Sequence, residues 1–155
     1  MTIVSAICNS FKQEILVEGH NFTGSTDQFK LALYDSDNAV LSKSTTQWTV
    51  ASDPTADPTS TREVSTTSTG YTSGGNDLTS TTPVVNGDSA CCLFATTSWG
   101  STASFTARGC LIYNETASNK SVCAINFGAD KTVTTGTFTI EFPAQTASNA
   151  IIEIT

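Results

Sequence analysis

The sequence predicts a mainly β fold: an antiparallel β-sandwich or jelly-roll-like single domain with one N-terminal α-helix. Short runs of β-branched and aromatic residues alternate with turn-forming residues along most of the chain. The composition, 28 Thr and 19 Ser among 155 residues, favours strands with a hydroxyl-rich surface. A chain of this length suits one domain, residues 1–155, with the helix at about residues 3–17 and the β-sandwich at about residues 28–155.

The helix is predicted from apolar residues at four-residue steps. Ile3, Ile7, Phe11 and Ile15 would share one helical face, and Gly19 follows where a left-handed C-terminal cap would stand. A helix this short is marginal alone in water. Its apolar face therefore needs a sheet or a neighbouring subunit to cover it.

The strands of the first half are predicted from alternation and from turn residues. Residues 29–34 alternate large apolar residues with others, and shorter strands are expected at residues 39–41 and 47–51. Residues 52–61 contain two Asp-Pro pairs and are predicted to form a loop, because proline cannot donate to a strand ladder. The glycines of residues 70–76 predict a tight turn.

The C-terminal part of the chain is the most strand-like. Six runs are predicted as strands, at residues 91–94, 104–107, 110–113, 122–127, 137–142 and 150–154. Their spacing is typical of a sandwich or barrel. Phe138, Ile140 and Phe142 fall on one face by alternation, so we expect one face in the core and the other solvated or paired with a partner.

The charge balance disfavours nucleic-acid and membrane partners. Lys and Arg number 7 against 14 Asp and Glu, which gives a net charge of −7. Few dispersed cations cannot neutralise a run of phosphates or bind an anionic bilayer, and no apolar run approaches the roughly 18 residues that span one. The N-terminus lacks a cationic segment ahead of its apolar residues, so we expect no secretion signal and folding in the cytoplasm.

The five cysteines are expected to be reduced and structural, with a disulfide between two of them as the alternative. Their number is odd, they form no C-x-x-C pair, and they lie in apolar runs where a thiol behaves as a small core hydrophobe. In a strand, the neighbours Cys91 and Cys92 point to opposite faces, so at most one of them should face the core. We expect no bound metal and no cofactor.

The titratable residues do not predict an active site. His20 is the single histidine, no G-x-S-x-G motif accompanies the serines, and the acids are scattered. We therefore expect no catalytic residues and interpret His20 as a surface or capping side chain. Asp35 and Asp37 resemble the start of a calcium loop but lack its later glycine and glutamate, so turn chemistry explains them better.

Two long segments resemble a family of small structural proteins found in tailed-bacteriophage genomes. They are residues 105–114, Phe-Thr-Ala-Arg-Gly-Cys-Leu-Ile-Tyr-Asn, and residues 124–140, which contain Ile-Asn-Phe-Gly-Ala-Asp-Lys-Thr-Val-Thr. The resemblance extends, in the same order and spacing, to four earlier segments at residues 11–16, 20–22, 29–34 and 70–75. Residues 53–58 have no counterpart and look like a loop variation.

The resemblance implies a virion component. The leading expectation is a capsid decoration, or cement, protein on the capsid surface that binds the major capsid protein and copies of itself, made in the host bacterial cytoplasm. A neck, tail or fibre-attachment component is the first alternative. The second is a receptor- or glycan-binding β-sandwich that uses Trp48, Tyr71, Trp99 and Tyr113 as stacking platforms, although core packing is the commoner use of such rings.

Two apolar stretches are predicted as partner contacts. One is the helix face, and the other is the last strand, whose apolar run is unsuited to a free tail. The residues concerned are Ile3, Ile7 and Phe11 in the helix and Ile151, Ile152 and Ile154 in the strand. Packing in the protein's own core is the alternative for both stretches, and we favour it.

Overall fold

The computed structural model describes residues 3–24, 26–35, 41–49, 63–67, 69–146 and 149–155. The predicted loop at residues 52–61 and most of the predicted strand at residues 39–41 lie outside them. The helices are α1 (Asn9–Glu14) and a 3₁₀ turn (Ile15–Val17). The strands are β1 (Ala6–Ile7), β2 (Phe29–Tyr34), β3 (Asn76–Leu78), β4 (Val84–Asn86), β5 (Ser89–Cys92), β6 (Thr97–Asn114), β7 (Lys120–Ile140) and β8 (Ile152–Ile154).

These strands form two antiparallel sheets, which confirms the mainly β prediction. The larger sheet has the order β1-β7-β6-β2-β3, and the smaller one has the order β4-β5-β8. β2 lies along β6 from Phe29 opposite Asn114 to Tyr34 opposite Gly109. The two ends of the chain therefore lie at sheet edges, β1 in the larger sheet and β8 in the smaller.

The centre of the larger sheet is covered on both faces. Strand alternation sends Leu31 and Leu33 of β2 into the main apolar core, which also contains Cys92 of the smaller sheet. The intervening Ala32 and Tyr34 face a second apolar cluster on the other side of the sheet. Because both faces are buried, the central strands are nearly continuous apolar runs rather than alternating ones.

The N-terminal helix is shorter than predicted. Ala6–Ile7 form β1, with Ile7 opposite Cys123 of β7, and α1 begins only at Asn9. Sheet pairing therefore overrides the helical spacing of the apolar residues in this stretch. At the C-terminal end, Glu18 takes the left-handed conformation expected of Gly19. Gly19 is instead required by close approach, because a Cβ there would lie 2.8 Å from the Glu14 carbonyl oxygen.

Four of the predicted short strands are parts of two long ones. The runs at residues 104–107 and 110–113 belong to β6, and those at residues 122–127 and 137–142 belong mostly to β7. Gly109 does not end a strand. It lies opposite Asn126 and continues the ladder, while bulges absorb the irregular stretches.

The predicted glycine turn is confirmed. Gly74 and Gly75 both have positive φ, at 86° and 75°, and the Gly75 amide donates to the Thr72 carbonyl oxygen at 2.9 Å. Gly75 also lies against the backbone of Leu31, where a side chain would overlap. Glycine is thus required here for both conformation and space.

Candidate functional site

The six predicted contact residues divide between core and surface. Ile3, Phe11 and Ile152 are buried, Ile3 in the second apolar cluster and the other two in the main core. Ile7 and Ile151 keep part of their surface, and Ile154 is 52% exposed. In this structure, only these last three can offer surface to a partner.

Four of the six nevertheless meet at one cleft between the two ends of the chain, which we call the terminal cleft. Its volume is about 350 Å³. Its lining residues are Ile7, Phe11, Lys12, Ile15 and Leu16 on one side and Ile152, Glu153, Ile154 and Thr155 on the other. The cleft therefore joins the helix and the last strand, the two stretches that the sequence offered separately.

Local structure explains how the two walls come together. The Cys8 amide donates to the Val122 carbonyl oxygen at 2.9 Å, which fixes the start of α1 beside β7. On the opposite wall, β8 pairs with β5 through Cys92 opposite Ile152. Phe11 and Ile152 then pack in the same core and form the floor of the terminal cleft.

The rim of the terminal cleft exposes large aliphatic side chains. Leu16 is 84% exposed and Val17, which follows it, is 71% exposed. The sequence signal for this exposure is the run of three apolar residues Ile15, Leu16 and Val17. Three consecutive residues cannot all lie on the buried face of a helix, so at least one must be exposed. The predicted contact residues did not include Leu16 or Val17.

Each wall of the terminal cleft carries one charged residue. Lys12 is exposed and forms none of the ion pairs found among the described residues. Glu153 accepts a hydrogen bond from the Ser89 hydroxyl at 2.7 Å. The cleft thus combines an apolar floor with a cation on its helical wall and an anion on its strand wall.

A second cleft continues from the terminal cleft along the edge of β1. Its volume is about 280 Å³, and its lining residues are Ser5, Ala6, Ile7, Cys123, Ala124, Ile125, Ala150 and Ile151. We call it the β1 cleft. The two clefts share Ile7, and each lies between an N-terminal and a C-terminal stretch of the chain.

A third cleft lies beside β7 and has a volume of about 480 Å³. Apolar side chains of β7 and of the segment after it dominate its lining, among them Phe127, Phe138, Ile140 and Phe142. Lys131 and Glu141 also line it. The edge of β7 along this stretch is irregular, because its pairing with β6 contains several register shifts.

His20 is a buried structural residue, so the expectation of a surface side chain is wrong. Its Nε2–H donates to the Glu14 carboxylate at 2.9 Å, and its Nδ1 accepts from the Asn114 amide at 3.1 Å. Its ring packs 4.9 Å from Phe11 and 6.4 Å from Phe29, measured between centroids. Both ring nitrogens are engaged in this network, which ties α1 to β6.

Glu63 forms a polar cluster that the sequence did not signal. Its carboxylate accepts from the Tyr71 hydroxyl at 2.7 Å, from the Gly74 amide at 2.6 Å and from the Ser73 hydroxyl at 3.3 Å. Burial raises the pKa of Glu63, and the three hydrogen bonds oppose that shift. The three partners lie together in the glycine turn, 8, 10 and 11 residues after Glu63, and no sequence motif links a carboxylate to such a turn.

The thiols are buried, as the sequence predicted for reduced structural cysteines. All five are free and buried. Burial raises the pKa of the Cys8 and Cys92 thiols to about 12 and raises the pKa of Cys110 well above its usual value. Because the thiolate is the reactive form, these positions are chemically quiet at neutral pH. Cys92 joins the main core cluster and Cys91 does not, but Cys91 is buried as well, at 1% exposure, so both thiols are enclosed.

The four aromatic residues considered as glycan platforms are all buried. They are Trp48, Tyr71, Trp99 and Tyr113. Trp48 stacks on Tyr113 at a centroid distance of 5.2 Å, and Tyr71 stacks on Trp99 at 6.0 Å. Their ring faces therefore pack on one another, which is the core use that the sequence analysis favoured.

Within the described ranges, no group of three or more His, Cys, Asp or Glu side chains is arranged to hold a metal ion. No helix in those ranges has the length and apolar character needed to cross a bilayer. Comparison with protein-family models, curated proteins and solved structures finds no match for this chain.

Proposed function

We propose that this protein is a capsid decoration, or cement, protein of a tailed bacteriophage that binds and stabilises the lattice of the major capsid protein. Self-association on the capsid surface and synthesis in the bacterial cytoplasm belong to the same proposal. The resemblance of residues 105–114 and 124–140 to small phage structural proteins supports the virion assignment. The exposed apolar rim of the terminal cleft supports a role in binding protein.

The rim of the terminal cleft is the observation that carries the proposal. Leu16 and Ile154, 84% and 52% exposed, line the same cleft from opposite walls. Scattered exposed aliphatic residues need no explanation, but exposed aliphatic residues that gather around an apolar cleft mark a protein-binding surface. Burying such a side chain on binding contributes about 1.5–3 kcal/mol.

A small contact of this kind is sufficient on a repeating lattice. A capsid presents the same surface many times, so self-associated copies that bind neighbouring sites gain affinity through effective concentration. Thr and Ser hydroxyls on the rest of the surface can add short-range hydrogen bonds. The role needs apolar surface that a partner can bury, which the terminal cleft offers.

Particles assembled with and without this protein test the proposal. We expect particles that lack it to lose resistance to heat and osmotic shock, and purified protein added back to restore that resistance. Genome release against temperature is the measurement, and added serum albumin serves as the control protein. Equal stability of the two kinds of particle would count against a cementing role.

The number of copies per particle separates decoration from the first alternative. Decoration predicts a copy number comparable with that of the major capsid protein. A neck, tail or fibre-attachment component would be present only in the small number set by the symmetry of that part. Quantitative mass spectrometry of purified particles measures the ratio, and the small number would overturn decoration.

A further inference from the structure

We infer that a ridge at the end of the N-terminal helix is a two-fold contact between two copies of this chain. The ridge consists of Lys12, Leu16, Val17 and Glu18, and it borders the terminal cleft through Lys12 and Leu16. We call it the helix ridge. The inference rests on the proposed function and specifies its self-association, because copies on neighbouring capsid sites would be joined in pairs through this ridge.

The first support is the exposure of two adjacent aliphatic side chains. Leu16 is 84% exposed and Val17 is 71% exposed, whereas Ile15 beside them packs against the main core. The core thus takes one residue of this apolar run and leaves the next two in solvent. Exposed aliphatic neighbours that border an apolar cleft are surface that a protein partner can remove from water.

The second support is the pair of opposite charges around these side chains. Lys12 and Glu18 are both exposed, and neither forms any of the ion pairs found among the described residues. The adjacent exposed valines of β4 have no such charges beside them in the sequence, because Pro83 precedes them and Asn86 follows. The helix ridge therefore carries its own complementary charge, which favours a second copy as the partner.

The third support is the symmetry of this arrangement. Lys12 and Glu18 lie three positions before and after Ile15, where α1 continues directly into the 3₁₀ turn. Two ridges packed antiparallel about a two-fold axis beside Leu16 would therefore place Lys12 of each copy against Glu18 of the other. The same axis would bring Leu16 of the two copies together, whereas a parallel packing would place like charges opposite each other.

The helix ridge is small, so we expect pairs that are weak in dilute solution and stable on a capsid. Each copy has a net charge of −7. At about 0.15 M salt this long-range repulsion is screened beyond about 8 Å, whereas the ion pairs act in direct contact. We expect a dissociation constant on the order of 0.1–1 mM, which the effective concentration on a lattice can match. Unfolding measurements at micromolar protein concentration therefore report the separate chain.

Charge reversal tests the pairing of Lys12 with Glu18. Association of the full chain is measured by sedimentation equilibrium up to about 1 mM protein in about 0.15 M salt. We expect Lys12→Glu and Glu18→Lys each to weaken association about tenfold, because each places like charges opposite each other at both ends of the contact. The double variant should associate as the wild type does. An equimolar mixture of the two single variants should associate as well, since each Glu of one variant then meets a Lys of the other.

A substitution of Leu16 tests the apolar part of the contact. This side chain is 84% exposed, so the unfolding midpoint of Leu16→Asp should stay near that of the wild type. We expect the variant to remain monomeric at the highest protein concentration, because association would bury two carboxylates beside the axis. Val85→Asp, at a residue 80% exposed in β4, is the matched control and should associate as the wild type does.

The outcomes separate this inference from the proposed function. A wild-type chain that stays monomeric, single charge variants that associate as the wild type does, or a mixture of them that stays monomeric would each overturn the inference. If Leu16→Asp still associates but no longer binds capsids, the ridge belongs to the capsid contact and the inference is overturned. Capsid stabilisation by Leu16→Asp equal to that by the wild type would overturn the inference and leave decoration standing. Pairing in solution without any stabilisation of capsids would overturn decoration and leave the two-fold contact standing.

Discussion

The ribbon formed by β6 and β7 has two halves that differ in burial although they belong to the same two strands. The turn-proximal half comprises residues 109–114 and 120–126, and the distal half comprises residues 97–107 and 131–140. In the turn-proximal half, five consecutive residues of β6, Cys110 to Asn114, are at most 1% exposed. In the distal half, buried residues of β6 alternate with accessible ones.

The neighbours of each half explain the difference. β2 pairs with residues 109–114 and β1 pairs with β7 near Cys123, so the turn-proximal half lies inside the sheet between two apolar clusters. In the distal half the register shifts repeatedly. Thr135 within this half and Gly128 just before it have positive φ. A ladder stays regular where both faces must fill a core, whereas an accessible ladder tolerates bulges that also protect its edge.

Matched isoleucine truncations should show the largest difference between the halves. Ile112 is fully buried in the turn-proximal half, whereas Ile140 is partly buried in the distal half and lines the cleft beside β7. We expect Ile112→Ala to lower the free energy of unfolding by about 3–4 kcal/mol, because it leaves an enclosed cavity. We expect Ile140→Ala to lower it by about 1 kcal/mol, because Ile140 lines the cleft beside β7 and is already partly exposed.

Urea denaturation followed by tryptophan fluorescence measures both variants against the wild type. The two substitutions remove the same atoms, so each controls for the chemistry of the other. Equal losses of stability would mean that burial does not distinguish the two halves.

Two glycines test the same comparison through steric fit. A Cβ at Gly109 would lie 2.5 Å from the Ile125 carbonyl oxygen, whereas a Cβ at Gly136 would meet the Val133 side chain at 3.2 Å. Backbone in the turn-proximal half cannot move aside, but an accessible valine can change rotamer. We expect Gly109→Ala to cost about 2 kcal/mol and Gly136→Ala to stay within about 0.5 kcal/mol of the wild type.

Thermal unfolding of the two alanine variants provides the measurement. Neither glycine has a positive φ, so backbone strain does not separate them. A cost for Gly136→Ala as large as that for Gly109→Ala would contradict the contrast between rigid and adaptable surroundings.

The sequence predicted which residues form strands better than it predicted where the strands end. The strand predicted at residues 29–34 is β2, but both of its faces are buried, so the apolar run marks it better than the alternation does. The sequence predicts separate strands at residues 104–107 and 110–113, since the close packing of Gly109 against Ile125 depends on a residue distant in sequence. Local pattern finds the residues of a strand, and tertiary contact decides where it ends.

The candidate site was partly predictable for a related reason. Apolar residues at both ends of the chain indicated Ile7 and Ile154, but their meeting at one cleft depends on the order of strands in both sheets. The helix prediction is wrong at Ile3, which lies ahead of α1. The burial of Ile3 fits a helical spacing as well as an extended chain with one buried side, so the sequence pattern could not distinguish the two. The burial of His20 could not be foreseen, because Glu14 and Asn114 join it only in the folded chain.

The smallest change in stability is expected from a substitution of Glu63, which connects the residues that pack on the two halves of the ribbon. Its partner Tyr71 stacks on Trp99 of the distal half, and its partner Gly74 accepts through its carbonyl oxygen from Tyr113 of the turn-proximal half. Burial raises the pKa of Glu63 above its ordinary value of 4.5, so the folded protein holds this proton more tightly than the unfolded chain does.

The sign of the pH dependence follows from that difference. The contribution of Glu63 to stability is greatest below pH 4.5, declines as the pH rises through the folded pKa and is constant above it. We expect Glu63→Gln to raise the unfolding midpoint at pH 7 slightly and to remove this part of the pH dependence, because the amide oxygen still accepts from Tyr71 and Gly74 without a buried charge. Unfolding midpoints measured from pH 4 to pH 8 test this prediction, with Glu18→Gln as the exposed control. A lower midpoint of Glu63→Gln at pH 7 would mean that the hydrogen bonds to the carboxylate outweigh its desolvation. In that case the charge of Glu63 would stabilise the contacts of Tyr71 and Gly74 with the two halves.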